Sequence, residues 1–314
     1  MGFLKRMLGG GDPAPEWASF FSGAEYRAFL AAVDADLRRR GRTFRIDDGV
    51  VLLDEPGADE PSQLGLSNLA QHCRGTDQDD WPRVIADHFT NVFQTVGRDL
   101  DALAADYDQV APILRVRLMP DESMGGVELP ESVLRAGEPG YVEVLVYDFP
   151  DSTASVHRDH LAAWPVDRDG AWAQALDNLT SEPDPIRDEV ASPDARFTMW
   201  YGDSFYVATR LLRLASMLPP GKVDAIAAVP NRHTLLVHVI EDATVVESIK
   251  AMQRATVDLF RDGPGSISDR LYWWHAGTLA GWRQVGEGRR AEIQPPDGLV
   301  EVLMAASERP PRAS

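Results

Sequence analysis

The chain has 314 residues, enough for one large domain or two ordinary ones, and its 44% hydrophobic content can fill a sizeable core. Its formal net charge of −18 disfavours nucleic acid and anionic lipid as partners, because both attract proteins through Lys and Arg. The charge is compatible with a basic protein partner. The single cysteine, Cys73, excludes an internal disulfide and a thiolate metal cluster, and it fits a reducing cytoplasm.

Residues 1–15 are rich in Gly and Pro, and we expect a flexible N-terminus there. The apolar run within them is too short for a signal peptide. No apolar run in the chain approaches the about 20 residues that span a bilayer. The sequence therefore predicts a cytoplasmic protein with neither a membrane nor a nucleic-acid partner.

Residues 16–120 are predicted to form a helix-rich N-terminal region. Ser22-Gly23-Ala24-Glu25 is a capping-box pattern that opens a helix. Asp48-Gly49 is a strong turn signal between two short strands, so we expect a hairpin. A long amphipathic helix is predicted to start near Trp81. Residues 120–140 carry many prolines and glycines and are predicted to be an irregular connector at a domain boundary.

Residues 141–304 are predicted to form an α+β domain, followed by a disordered tail over 305–314. Residues 141–149 are apolar on both faces, as in a central strand. The predicted elements that follow are a loop over 180–193, a buried helix over 204–218, a hairpin of strands 223–229 and 234–240, a long helix after Asp242 and a pair of strands over 271–275 and 282–285. Helices and strands do not alternate regularly, which favours α+β with a mainly antiparallel sheet covered by helices.

Four short segments resemble the YtpQ-like family of bacterial proteins. They are Leu66-Ser67-Asn68-Leu69, Ala175-Leu176-Asp177-Asn178-Leu179, Tyr206-Val207-Ala208-Thr209-Arg210-Leu211-Leu212 and Val229-Pro230-Asn231-Arg232, in that order along the chain. The Gly-Asp pair that opens the family pattern around the last segment is replaced here by Lys222-Val223-Asp224. The resemblance implies a cytoplasmic bacterial α+β protein, and it brings no known catalytic residue with it.

The turn Pro230-Asn231-Arg232-His233 is a candidate binding site. It is predicted to present an amide, a guanidinium and an imidazole at one end of a sheet, where an acidic ligand could bind to the arginine fork. The alternative is a purely structural turn, in which Asn231 takes the left-handed position and Arg232 pairs locally.

His157 and His160 lie three residues apart on a predicted helix that follows Asp148. Two imidazoles and a carboxylate can hold zinc or iron, so these residues are a candidate metal site. The alternative is two surface histidines beside a charged loop, and the prediction for the whole chain is that it has no metal and no cofactor. Trp273 and Trp274 alternate across a predicted strand, so one of them is a candidate interface anchor, with core packing as the alternative.

Gly202-Asp203-Ser204-Phe205-Tyr206 is placed like a nucleophile elbow, but that motif requires a glycine where Tyr206 stands. Ser204 is therefore interpreted as a helix cap. The chain also has no nucleotide-binding glycine motif and no CxxC pair. We therefore predict a non-catalytic module that binds a protein or peptide through an acidic surface and the C-terminal sheet. The alternative is a hydrolase or metal-dependent enzyme that uses His157, His160 and Asp148.

Overall fold

A computed structural model describes residues 14–54, 62–96, 99–121, 129, 131–149, 152–192, 194–285 and 292–310. The chain divides into two compact units, Met1–Gly97 and Arg98–Ser314. Both contain helices and antiparallel sheet, so the predicted α+β class is confirmed. Within the described residues, no helix has both the length and the apolarity that a membrane crossing requires. The predicted flexible N-terminus lies outside the described residues up to position 13.

The first unit packs three helices on a small antiparallel sheet. Its elements are α1 (Gly23–Arg39), β1 (Phe44–Asp47), β2 (Val50–Leu53), β3 (Ser62–Gly65), α2 (Ser67–Arg74) and α3 (Trp81–Val96). The predicted capping box opens α1, since Ser22 and Glu25 exchange hydrogen bonds with each other's backbone N–H. Asp48 and Gly49 both have positive φ, at 38° and 80°, and form the predicted β1–β2 turn. Phe29, Ile85 and Phe89 lie in the core of this unit, between the helices and the sheet.

The second unit begins with short helices and a four-stranded sheet. Its elements are α4 (Leu100–Ala104), α5 (Tyr107–Val110), β4 (Leu114–Pro120), β5 (Leu134–Ala136), β6 (Tyr141–Phe149), β7 (Ser152–Ser155), α6 (Arg158–Ala163) and α7 (Arg168–Asp177). The nine-residue strand β6 pairs with β4, β5 and β7. Side chains of a strand alternate between its faces, so Tyr147 and Asp148 point to opposite sides of this sheet.

A six-stranded antiparallel sheet forms the rest of the second unit. Its strands are β8 (Ile186–Ala191), β9 (Arg196–Tyr201), β10 (Asp224–Ala228), β11 (Thr234–Val239), β12 (Tyr272–His275) and β13 (Thr278–Gly281), in the order β13-β12-β10-β11-β9-β8. The helices α8 (Val245–Asp262) and α9 (Leu299–Ser307) cover one face. Strand β14 (Arg283–Val285) pairs with β15 (Glu292–Gln294).

The other face of the six-stranded sheet packs on residues 208–216, which are a 3-10 helix with a kink at Arg213. The sequence predicted a buried helix over 204–218, and the structure has a shorter one, of the 3-10 type. Its residues Leu211 and Leu214 are buried in the core that also includes Leu118 of β4. The segment therefore lies between the two sheets of the second unit.

Other predictions differ from the structure in detail. The predicted loop 180–193 contains the strand β8, whose six residues are all exposed and so lack the apolar alternation that marks a strand. The predicted pairing of strands 271–275 and 282–285 is wrong, because β12 pairs with β10 and β13. The chain divides into its two units after position 97, whereas the sequence placed a boundary within 120–140. Strands β4 and β6 pair across that connector. The predicted tail from 305 begins inside α9.

Candidate functional site

A groove of about 470 Å³ opens beside the turn that follows β9. Its lining combines aromatic rings with carboxyl and hydroxyl groups, from Ile113, Asp148, Phe149, Ser152, Glu182, Asp203, Ser204, Phe205 and Tyr206. Phe205 is 36% exposed, which is unusual for so large an apolar side chain, whereas Tyr206 beside it is buried. The groove therefore offers an accessible ring with polar groups around it.

Ser204 holds the turn in place. Its hydroxyl accepts a hydrogen bond from the backbone N–H of Tyr206 at 3.1 Å and donates one to Oε2 of Glu182 at 2.8 Å. This is the local capping role that the sequence predicted, although the cap closes a turn rather than an α-helix. The bond to Glu182 is of the charge-assisted kind, so it fixes the hydroxyl firmly.

An ionic network lies on one face of the four-stranded sheet, and its members Asp148, Glu182 and Tyr206 also line the groove. Arg115 and Arg117 of β4 lie opposite Val146 and Val144 of β6, and Asp148 continues the same face. The Tyr206 hydroxyl donates to Oδ1 of Asp148 at 2.6 Å. Burial raises the pKa of Asp148, and the hydrogen bond from Tyr206 and the charge of Arg115 partly oppose that shift. Burial, with Asp148 beside it, also raises the pKa of Tyr206, so the phenol keeps its proton.

All three guanidinium nitrogens of Arg115 donate hydrogen bonds. Its Nε donates to Oε1 of Glu182 at 3.0 Å, and its other nitrogens donate to backbone carbonyls and to Ser181. Buried guanidinium groups are normally paired in this way, because an uncompensated charge in the interior is costly.

Arg117 and Arg232 differ from Arg115. The guanidinium carbon of Arg232 lies 4.3 Å from the centroid of the Phe205 ring, and that of Arg117 lies 5.9 Å from it. Arg117 donates to Oγ1 of Thr153 at 3.0 Å, but its buried Nε has no hydrogen-bond partner within the described part of the chain. Burial, and then the charge of Arg117, lowers the pKa of Arg232 to about 10.

In the predicted binding turn, Arg232 lies with Arg117 beside Phe205, whereas Asn231 has a structural role. Asn231 is buried, its Nδ2 donates to the carbonyl of Leu259, and its Oδ1 accepts from the backbone N–H of His233. It does not take the left-handed conformation that the structural alternative required, since the positive φ values of described non-glycine residues belong to Asp48 and Ala276.

His233 is held in one neutral tautomer. Its Nε2 accepts from Nε of Arg232 at 2.9 Å, so its Nδ1 carries the proton and donates to the carbonyl of Gly202 at 3.0 Å. Burial and the neighbouring Arg232 lower its pKa. The turn therefore orients Arg232 through His233, and the guanidinium points to Phe205 rather than standing free at the sheet end.

The candidate metal residues do not converge. The rings of His157 and His160 are 5.7 Å apart, but His160 contacts Oδ1 of Asp101 at 2.8 Å and the hydroxyl of Tyr147 at 3.0 Å. His157 caps α6 by accepting from the backbone N–H of Asp159. Asp148 lies on the opposite face of β6 and bonds to Tyr206. Among the described residues, no group of three metal-ligating side chains is assembled.

The candidate anchors Trp273 and Trp274 are each only 7% exposed. They point to opposite faces of β12, Trp274 into the core with the 3-10 segment and Trp273 into the core with α8 and α9. Nε1 of Trp273 donates to Oδ1 of Asp224 at 3.1 Å. The structure therefore supports core packing for both and leaves neither as an exposed anchor.

Among the described strands, β8 is at the edge of the six-stranded sheet and pairs only with β9. It starts beside the groove, since its first residue, Ile186, pairs with Tyr201. Ile186 is 55% exposed and Val190 is 40% exposed. The backbone N–H of Ser192 bonds to the carbonyl of Ala195, which makes this a hydrogen-bonded pair. Bonded and non-bonded pairs alternate along an antiparallel ladder, so the backbone groups of Arg187 and Glu189 point away from β9.

Comparisons with models of known protein families, with curated proteins and with solved structures find no significant match. The candidate site therefore depends on geometry. The sequence pointed to Arg232, His233 and Asp148, but it gave no role to Arg117 and Phe205. The available signal was Arg115 and Arg117 at alternate positions in an otherwise apolar strand, which places two charges on one face of a buried sheet.

Proposed function

We propose that this chain is a cytoplasmic, non-catalytic module that binds a protein or peptide, and that the edge strand β8 receives an extended segment of the partner. The observation that carries the proposal is the exposure of all six residues of β8 at an open sheet edge. Unpaired backbone groups on such an edge form hydrogen bonds with an added strand, and side-chain contacts supply specificity.

The apolar side chains of β8 support this proposal. Ile186 and Val190 are two of its exposed residues and, because residues two apart share a face, they lie on the same side of the sheet. Their partners Tyr201 and Phe197 belong to β9, whose Phe197 lies in the core under α8. Asp188 lies between them on this face, so an added strand could place β-branched side chains beside Ile186 and Val190 and a basic side chain beside Asp188.

Charge indicates the kind of partner. The formal net charge is −18, and Asp203 is exposed in the adjoining groove. Strand β8 itself carries Asp188 and Glu189 against one basic residue, Arg187, which pairs with Glu189. A basic segment would be attracted to this surface, and its association would weaken as salt screens the charges. The proposed partner is therefore a polypeptide that combines Lys or Arg with β-branched residues.

The alternative function was a hydrolase or metal-dependent enzyme, and its proposed residues do not lie together. It required His157, His160 and Asp148 to meet, and the alternation of β6 separates Asp148 from the two histidines. We therefore do not propose it.

A library of random ten-residue peptides, selected against the full chain at low salt, tests the proposal. We expect basic, β-branched sequences whose affinity falls with added salt. Glu189→Pro removes an outward backbone N–H without touching the ladder to β9, and it should weaken binding at least tenfold. Glu189→Ala is the matched control, because it removes the same carboxylate but keeps the N–H, and it should lose far less. A library without binders, or peptides that bind Glu189→Pro as tightly as the wild type, would contradict the proposal.

A further inference from the structure

The ionic network beside the groove carries more positive than negative charge. Arg115, Arg117 and Arg232 contribute three guanidinium groups, and Asp148 and Glu182 contribute two carboxylates. Glu182 pairs with Arg115, and within the described residues neither Arg117 nor Arg232 forms an ion pair with a carboxylate. His233 is neutral, and Asp203 is exposed, so water screens its charge. Among the described groups, one buried positive charge is left without a counter-charge.

The nitrogens of these two arginines are correspondingly under-used. Arg117 has a buried Nε without a hydrogen-bond partner in the described residues, and the Nε of Arg232 donates to the neutral imidazole of His233. Buried polar groups are bonded in the great majority of cases, so an unused guanidinium N–H calls for an explanation. The mutual proximity of the two cations makes the site still less favourable when it is empty, as the lowered pKa of Arg232 also indicates.

We infer that Arg117 and Arg232 bind the carboxylate of a small molecule or chain end whose apolar part occupies the groove beside Phe205. A planar carboxylate matches the fork of a guanidinium group. One negative charge balances the excess positive charge, whereas the second charge of a phosphate would meet Asp148 and Asp203. The rings of Phe149 and Phe205 line the groove and would contact an apolar or aromatic body. This site does not depend on strand addition at β8.

The test follows the side-chain Nε–Hε signals of the full chain by NMR during titration with sodium acetate, sodium benzoate and sodium phosphate. Sodium chloride keeps the ionic strength constant. We expect the Arg117 and Arg232 signals to shift saturably with both carboxylates, with benzoate binding at least threefold more tightly than acetate. Phosphate should bind more weakly than acetate. Because this measurement uses the wild-type chain, it does not depend on the folding of any variant.

Variants then assign the site. Arg232→Gln should weaken benzoate binding at least tenfold, and Arg232→Lys, which keeps the charge but not the fork, should weaken it severalfold. Arg261→Gln is the matched control, because Arg261 is exposed and pairs with Asp258 and Asp262 on the surface of α8. It should leave binding unchanged. The inference would be overturned by shifts that do not saturate, by phosphate binding as tightly as acetate, or by an Arg232→Gln chain that binds benzoate like the wild type.

Discussion

His238 shows how burial sets the charge of a single residue in this molecule. It lies on β11 with 3% of its surface exposed, and its Nδ1 contacts the carbonyl of Arg196 at 2.7 Å, which fixes the proton on that nitrogen. Its Nε2 is buried with no partner among the described residues. Burial is the main cause that lowers its pKa to about 4, and the hydrogen bond to the Arg196 carbonyl and the charges of Asp242 and Glu241 only partly oppose the shift.

The stability of the second unit should therefore fall in mild acid. The pKa of His238 is lower in the folded chain than its ordinary value of about 6.5, so the unfolded chain binds the proton first. The stabilisation is complete above about pH 6.5 and is lost as the pH falls towards 4, up to about 3 kcal/mol. His238→Asn keeps a donor for the Arg196 carbonyl but does not titrate. Hydrogen exchange of the β11 amides should show a smaller loss of protection between pH 7 and pH 4.5 in this variant, and equal losses would contradict the assignment.

Gly49 is a second residue whose identity is set by its surroundings. It has a φ of 80°, and a Cβ built on it would lie 2.6 Å from Cε2 of Trp17. Gly49→Ala should therefore lower the free energy of unfolding of the first unit by about 1–3 kcal/mol, from backbone strain together with the ring contact. Gly41 is the matched control, because its φ is 69° and a Cβ there has nothing within 4 Å. Urea unfolding should show a smaller loss for Gly41→Ala, of about 1 kcal/mol, and equal losses would exclude a role for the Trp17 contact.

At the scale of elements, the sequence was informative where local chemistry decides the structure. The capping box of α1 and the Asp48-Gly49 hairpin follow from a few adjacent residues, and both are present. Strand β8 was missed because its charged, fully exposed residues have no apolar period, and only its pairing with β9 makes it a strand. The arginine pair beside the groove was only partly predictable for a related reason, since Arg117 and Arg232 are 115 positions apart and come together beside Phe205 only in the folded chain.

The hairpin between β12 and β13 contains an alanine in an unfavourable backbone conformation, and a substitution can relieve this strain. Its turn residues Ala276 and Gly277 have φ values of 48° and 96°, the region that two-residue hairpins require and that alanine disfavours. Ala276→Asn should raise the free energy of unfolding of the second unit by about 0.5–1 kcal/mol, because asparagine tolerates this conformation. Ala276→Thr is the opposite control, and its β-branched side chain should lower stability. Thermal unfolding compares the three chains, and a loss of stability with asparagine would contradict this account.

The whole molecule consists of two compact units that each contain their own core. The core of the first unit includes Phe29 and Phe89, and the cores of the second include Trp172 and Tyr272. The β1–β2 hairpin and the capping box of α1 belong to the first unit, whereas the groove, Arg117, Arg232 and β8 all belong to the second. A unit with a core of its own can fold by itself. The proposed binding functions should therefore reside in the second unit alone.

A fragment of residues 99–310 should fold and keep the candidate site. The four- and six-stranded sheets are both inside it, and so are the strand partners of β4, β6 and β8. We expect its amides to show the same hydrogen-exchange protection as in the full chain and its Arg232 signal to shift with benzoate in the same way. Gly49→Ala in the full chain is the complementary measurement, because it should reduce protection only within residues 14–96. An unfolded fragment, or loss of protection in β10 and β11 of the Gly49→Ala chain, would mean that the second unit depends on the first for its stability.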